Sequence, residues 1–369
     1  MNKITDDIIF AGVNDRKTVL FENQFPIPNG VTYNSYVILD EKTMVIATTE
    51  EGFIDEWMNE VGAALGGRMP DYLLIQHMEP DHSAAVKVFM DKYPQCIIAA
   101  SKQALNMVKN FFGTDYAGRN LVIKEGDSLS LGKHELIFVS APMVHWPEVM
   151  LAYERTDKVL FSSDAFGRFG APLNEQLDAA SPEYEAEPWL DEARRYYTGI
   201  VGKYGDPVNK VLDKAAGLDI SIICALHGPV LRNDLGKYIE VYRKWASYAP
   251  EEEGIAICYS TVYGHTKEAV DYLINVLKEL DKGLNHCEPE HKGAFKVEVF
   301  DLTKCDMSQA IAAAFRYDRI VFAATTYNNG VFPCMVDFIE RLNARSLHGR
   351  KAGLIENGSW GPKAASLMK

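Results

Sequence analysis

Four side chains able to bind a metal stand within six residues, His77-Met78-Glu79-Pro80-Asp81-His82, just after the apolar run Tyr72-Leu73-Leu74-Ile75. Three further candidates occur singly: His145 in Val144-His145-Trp146-Pro147, Asp164 in Phe161-Ser162-Ser163-Asp164, and His227 in Ala225-Leu226-His227-Gly228-Pro229. Each follows an apolar run with strand character, and strand ends that converge on one edge of a sheet are where clefts form. Of the five histidines in residues 1–250, four sit in these loops. The fifth, His134 in Gly132-Lys133-His134, is expected to be exposed and structural. Seven donors are too many for one tetrahedral ion and suit two ions sharing a carboxylate, a geometry that can hold a small diatomic or water-derived ligand. Glu79, Asp81 and Asp164 add hard anionic oxygens, which favour iron over zinc.

A second set lies in the last third of the chain. The apolar run 255–258 leads into Tyr259-Ser260-Thr261-Val262-Tyr263-Gly264-His265-Thr266, after which helical spacing begins. Hydroxyl groups, a glycine and the open N–H groups of a helix start make a phosphate cradle without lysine. Two later strand ends carry Thr325-Thr326-Tyr327-Asn328-Asn329-Gly330-Val331-Phe332-Pro333 and Asn357-Gly358-Ser359-Trp360-Gly361. Tyr327, Phe332 and Trp360 offer flat surfaces to a fused aromatic ring, and Asn329, Gly330 and Asn357 offer amides to its polar edge. In doubly wound folds, ligands bind at such carboxyl-terminal strand ends.

The elements that must position these residues fall into two blocks. At 369 residues the chain exceeds the usual size of one core, and two domains are expected, 1–250 and 251–369, joined near Pro250 and Glu251-Glu252-Glu253-Gly254. The first block mixes a hairpin over 31–49, helices over 53–65 and 83–93, and strands at 72–75, 96–100, 121–124, 135–140, 148–153, 158–162 and 219–224. The second alternates strand 255–259, helix 266–280, strand 296–300, helix 307–315, strand 319–324, helix 334–344 and strand 352–355, the pattern of a parallel sheet with helices on both faces. Residues 281–294 read as an exposed loop.

Composition narrows the function. The net charge is −13, and no basic stripe exists to neutralise phosphates, which disfavours nucleic acid. No apolar run is long enough to span a bilayer, so no membrane segment is expected. Six cysteines lie far apart with no C-x-x-C pair, which fits a reducing cytoplasm. Residues 251–369 are nearly neutral, at net −2. Their Arg341, Arg345, Arg350, Lys351 and Lys363 are expected to border the second site as a docking patch for an acidic redox protein.

The H-x-E-x-D-H run at 77–82 resembles the H-x-H-x-D-H signature of the metallo-β-lactamase superfamily, with Glu79 in place of the second histidine. Together with His145, Asp164, His227, the T-Y-N-N-G run at 326–330 and the E-N-G-S-W run at 356–360, it resembles the flavodiiron proteins over essentially the whole chain. The resemblance implies an α/β protein: a metallo-β-lactamase-like αββα sandwich followed by a flavodoxin-like doubly wound parallel sheet whose last strand and helix the sequence does not reach. It implies that His77, Glu79 and His145 hold one iron, that Asp81, His82 and His227 hold the other, and that Asp164 bridges. It implies FMN over residues 260–266, 326–330, 332 and 357–360. His265 stands where relatives commonly have Asn or Ser, and Thr325 where a proline often stands. The expected activity is cytoplasmic reduction of O2 to water or of NO to N2O, with electrons from rubredoxin or a similar donor, in a head-to-tail homodimer. Two rival readings are a zinc hydrolase fused to a flavodoxin-like module and an electron carrier with a structural metal.

Overall fold

A computed structural model describes residues 2–172, 189–287 and 296–369. The chain divides into two compact units, Met1–Arg243 and Lys244–Lys369.

The first unit is built on two sheets. The larger runs, in spatial order, through Asn2–Lys3, Ile8–Phe10, Tyr36–Ile38, Met44–Ile46, Tyr72–Ile75, Ile97–Ser101 and Asn120–Ile123. Its first four strands are antiparallel and the rest join in parallel. The smaller runs through Ser128–Ser130, Glu135–Ser140, Met150–Glu154, Val159–Phe161 and Ile222–Cys224. One apolar cluster joins them: Tyr36, Ile38, Met44, Ile46 and Leu74 of one sheet pack with Leu136, Phe138, Ala152, Val159 and Phe161 of the other. In Tyr72–Ile75 every residue is buried, because Tyr72 and Leu74 face this core while the alternate residues meet the helical layer. The helix Ile54–Leu65 lies on that outer side and buries Trp57 against Phe89 of the helix Val86–Lys92, ring centroids 5.6 Å apart. The helix Gly205–Ala215 packs on the smaller sheet, completing helix, sheet, sheet, helix.

The sequence reading of one helix over 83–93 is corrected by two, Pro80–Ser83 and Val86–Lys92. The turn starts early because proline at the first helical position has its φ preset and no N–H to lose. His134 is also corrected: it is fully buried, not exposed. Its Nδ1 lies 3.0 Å from Glu154, its backbone N–H donates to Asp40 at 2.7 Å, and Asp7 stands 3.4 Å from Nε2. The hydrogen bond to Glu154 raises the imidazole above its ordinary value. A raised folded pKa means that the stability from this pair is complete below about 6.5 and is lost as pH rises through the folded value. His134→Leu should therefore cost about 1–3 kcal/mol at pH 6, and should flatten the pH dependence above that in denaturant titrations.

The second unit is a parallel sheet in the order Lys296–Asp301, Glu252–Tyr259, Tyr317–Tyr327, Lys351–Asn357. Ile255, Ile257, Val321 and Ala323 face the helix His265–Cys287 through Val270, Leu273 and Leu277. The alternate residues face the other way, where Phe322 meets Phe338 of the helix Pro333–Ala344. The expected loop over 281–294 is corrected in part, since the first helix runs to Cys287 and the remainder lies outside the described residues. Gly283 costs a helix only about 1 kcal/mol, too little to end it. No helix among the described residues is long and apolar enough to cross a membrane.

Candidate metal centre and ligand cleft

The sandwich brings all seven expected donors to one edge. His77 follows the strand Tyr72–Ile75, Asp81 and His82 ride on the Pro80–Ser83 turn, and His145 precedes Met150–Glu154. Asp164 and His227 follow Val159–Phe161 and Ile222–Cys224. Backbone and side-chain bonds fix these loops: Thr48 donates from N and Oγ1 to the carbonyl of His82 at 2.8 and 2.9 Å, and Leu226 N–H donates to Ser163 at 2.9 Å. Under the site, Gln76 Nε2 donates to the carbonyls of Met150 and Phe161 at 3.1 and 2.9 Å, tying the two sheets together.

The donors form two groups, within each of which the candidate ligand atoms lie within 4.8 Å of one another. In the first, Glu79 Oε2 is 3.2 Å from His77 Nε2 and 2.9 Å from His145 Nε2. In the second, Asp81 Oδ2 is 3.4 Å from His82 Nε2 and 3.3 Å from His227 Nε2, and the two Nε2 atoms are 3.1 Å apart. Asp164 stands between: Oδ2 is 3.4 and 3.2 Å from His77 and His145, while Oδ1 is 3.2 and 3.9 Å from His82 and His227.

This arrangement fits two cations. Both oxygens of Asp81 and Oδ1 of Asp164 are buried without a hydrogen bond, a costly state for carboxylates unless a positive charge satisfies them. Burial alone would raise the Asp164 carboxyl, yet the imidazoles of His77, His82 and His145 gathered around it hold it well below its usual range. His145 shows the counterpart: burial opposes its charge, but hydrogen bonds to Asp164 and Glu79 push it up to about 9. The cluster calls for positive charge at its centre, which metal ions would supply there in place of protons.

Several contributors were absent from the sequence reading. Glu148 Oε1 accepts from Met78 N–H at 2.9 Å and lies 2.8 Å from His77 Nδ1; its only signal is an acid at the mouth of an apolar strand. The carbonyl of Thr32 accepts from His227 Nδ1 at 2.7 Å. Trp146 meets His77 edge to face at 5.2 Å, and Phe21 meets His227 at 5.4 Å. Tyr196 is different: the run Arg194-Arg195-Tyr196-Tyr197 marks Tyr196 or Tyr197 in the sequence as a candidate pocket hydroxyl, with helix packing the favoured role, and the fully buried ring of Tyr196 lies 5.3 Å from His227. On the solvent side Thr18, Glu22, Tyr33, Glu79 and Asp81 border a polar opening of about 460 Å³. Burial and the Glu79 charge push the Glu22 carboxyl up to about 8.

In the second unit a cleft of about 530 Å³ opens at the carboxyl ends of Glu252–Tyr259, Tyr317–Tyr327 and Lys351–Asn357. Of the residues expected there, Thr261, Val262, Tyr263, His265, Thr266, Thr326, Tyr327, Asn328, Asn329, Asn357, Gly358, Ser359 and Trp360 line it, and Thr325 joins them. Four expected residues do not line it. Ser260 is fully buried, with its N–H donating to the carbonyl of Ala323 at 2.9 Å. Gly264 shapes the loop instead, at φ 100° with its N–H donating to Thr261 Oγ1 at 3.0 Å. Gly330 pairs back on Tyr327, and the Phe332 ring packs 5.4 Å from that of Tyr327. Tyr263 and Trp360 keep 89% and 67% of their surface bare, large aromatic faces that a planar ligand would cover.

The expected basic patch does not form as described. Arg350 donates to the carbonyls of Ala314, Tyr248 and Phe315, and Arg345 is buried and donates to that of Arg341. Arg341 pairs with Asp337 at 3.0 Å. Lys351 begins the strand whose far end, Asn357, borders the cleft, so it lies about 20 Å away along the strand. Only Lys363 stands beside the cleft, its N–H donating to Thr326 Oγ1 at 2.9 Å.

Residues 31–228 match the family described as ODP family beta lactamase. The chain is 28% identical over 361 residues to the anaerobic nitric oxide reductase flavorubredoxin of Aliivibrio fischeri, covering 97% of this chain and 69% of that protein. Its fold is similar to the flavodiiron protein from Giardia intestinalis, with a TM-score of 0.88, 22% identity and coverage of 98% and 84%. It is likewise similar to rubredoxin oxygen:oxidoreductase from Desulfovibrio gigas, with a TM-score of 0.87, 24% identity and coverage of 100% and 88%.

Proposed function

Because the chain belongs to the ODP family of beta lactamase proteins, we propose that it is a flavodiiron oxidoreductase that reduces NO to N2O, O2 to water, or both. The observation that carries this reading is the pair of donor groups meeting at Asp164, with Glu79 supplying an oxygen where a zinc hydrolase would place nitrogen. Relatives named as nitric oxide reductase support it, and they do not favour the hydrolase alternative.

His77, Glu79 and His145 would hold one iron, Asp81, His82 and His227 the other, with Asp164 shared, and FMN would occupy the cleft lined by Thr261, Asn329 and Trp360. When bound, the flavin supplies electrons one at a time and the iron pair supplies open positions for the gas. The chain's own residues prepare that chemistry. Glu148 and the Thr32 carbonyl engage Nδ1 of His77 and His227, which leaves each Nε2 free to face an ion. Trp146, Phe21 and Tyr196 pack on the imidazoles and exclude water from their outer faces. Rubredoxin or a similar carrier is the proposed donor, and a head-to-tail homodimer the proposed assembly. Cytoplasmic work is supported by Cys96, Cys258, Cys305 and Cys334, all free thiols.

Metal and flavin analysis combined with anaerobic NO and O2 consumption, driven by reduced rubredoxin, tests the proposal. About two iron atoms per chain with turnover of at least one gas is the expected result. Zinc alone, from cells given ample iron, with no gas consumed, would overturn it.

A further inference from the structure

The metal centre has a second neighbour besides its polar opening. An apolar cavity of about 70 Å³ lies inside the first unit, between the smaller sheet and the helices Gly205–Ala215 and Leu235–Ala246. Val144, Ala165 and Phe166 form its inner end, all buried. They adjoin His145 and Asp164 in the chain, so the cavity backs directly onto the loops that present two of the seven donors. Val208 and Leu212 wall it, and its outer lip is the exposed Ala216.

Its polar groups are spent or turned away. The Tyr242 hydroxyl accepts the Phe166 N–H at 2.7 Å, and Arg243 at the lip pairs with Asp213 at 2.9 Å. Burial raises the Tyr242 hydroxyl, and the Asp164 charge adds to it, which sets the cavity wall within electrostatic reach of the centre. Water needs two to four polar partners to occupy a void, so a space lined this way stays dry and accepts small apolar solutes; a known ~150 Å³ apolar cavity binds benzene or xenon. At half that size, this one suits a diatomic.

We infer that this cavity is a binding site for an uncharged apolar diatomic gas, O2 or NO, and the path by which the gas reaches the metal centre. The inference rests on the gas-reducing reading above. It assigns different traffic to the two openings: water and protons at the acidic mouth beside Glu22, Glu79 and Asp81, and gas through the apolar side. Burial of an apolar solute is favoured there by the same effect that builds the core.

The test uses crystals of the holoenzyme pressurised with xenon, alongside flash or stopped-flow trapping of NO and O2 by the reduced enzyme. Xenon is expected between Val144, Val208 and Tyr242 in the wild type. Val208→Phe should remove it and slow the bimolecular trapping rate at least threefold, with iron and flavin content unchanged. Ala215→Leu, at the half-exposed outer part of the same wall, is the milder filling should the first variant fold poorly. No xenon in the wild type would overturn the site. Xenon lost with an unchanged trapping rate would overturn the path. Xenon bound by an enzyme that consumes neither gas would instead overturn the functional reading and, with it, the cavity's role.

Discussion

Asp164→Ala is expected to strip both metal positions together, taking bound iron from about two per chain to near zero while His82→Ala retains a larger share. The reason is geometric. Oδ2 of Asp164 faces His77 and His145, Oδ1 faces His82 and His227, and the side chain is buried, with no other acid among the described residues facing both groups in this way. Removing it leaves each group one donor and one charge short. His82, by contrast, belongs to one group only. Iron per chain by elemental analysis, with unfolding monitored to exclude collapse, decides the matter; an Asp164→Ala protein with full iron would mean that each group holds its ion without sharing.

Glu148→Ala should weaken metal binding about 10- to 100-fold, the usual cost of losing the partner behind a ligating histidine. Glu148 fixes the ring of His77 through Nδ1 and also accepts the N–H of Met78, so the variant frees the first donor loop at two points. The loss should fall on the group containing Glu79 and His145, leaving the Asp81 group closer to native. Competition with a chelator, followed by the iron spectrum, separates the two. Equal affinity in wild type and variant would show that packing by Trp146 alone orients His77.

The seven candidate donors were legible because each side chain able to bind a metal sits in a loop at the end of an apolar strand, and a strand's end is visible in sequence as a change from apolar to polar residues. Their supports were not. The Thr32 carbonyl has no residue-type signature, since every residue carries one, and it meets His227 only because two strands distant in sequence end side by side. Glu148 differs from a solvated acid only in being buried, which depends on Met78 and His77 arriving from the other sheet. The same holds for His134, whose burial follows from Asp7, Asp40 and Glu154 closing around it from three segments. Arg350 and Arg345 failed as surface charges for a related reason: a guanidinium can satisfy several carbonyls at once, so an arginine near strand termini is as able to staple loops as to greet a partner. In the second unit the alternation of strand and helix sufficed for the layout, because a parallel sheet requires both faces covered. Which loop residues face the cleft was less visible, as Ser260 shows by being buried and Phe332 by packing on Tyr327.

The single amide of Gln76 has a further consequence. His77 belongs to one sheet, while His145, Asp164 and His227 belong to loops of the other, so the gap between the sheets is also the gauge that sets how far apart the donors stand. Gln76 bridges that gap one residue before His77, bonding two carbonyls across it. The sandwich thus behaves as a caliper with its screw beside the jaws. Core substitutions deeper in the layers can alter packing and stability while the jaws hold their opening. Were the donors to hold ions that change size with oxidation state, the adjustment would have to come from side-chain torsions, because Gln76 ties the two sheets beside them.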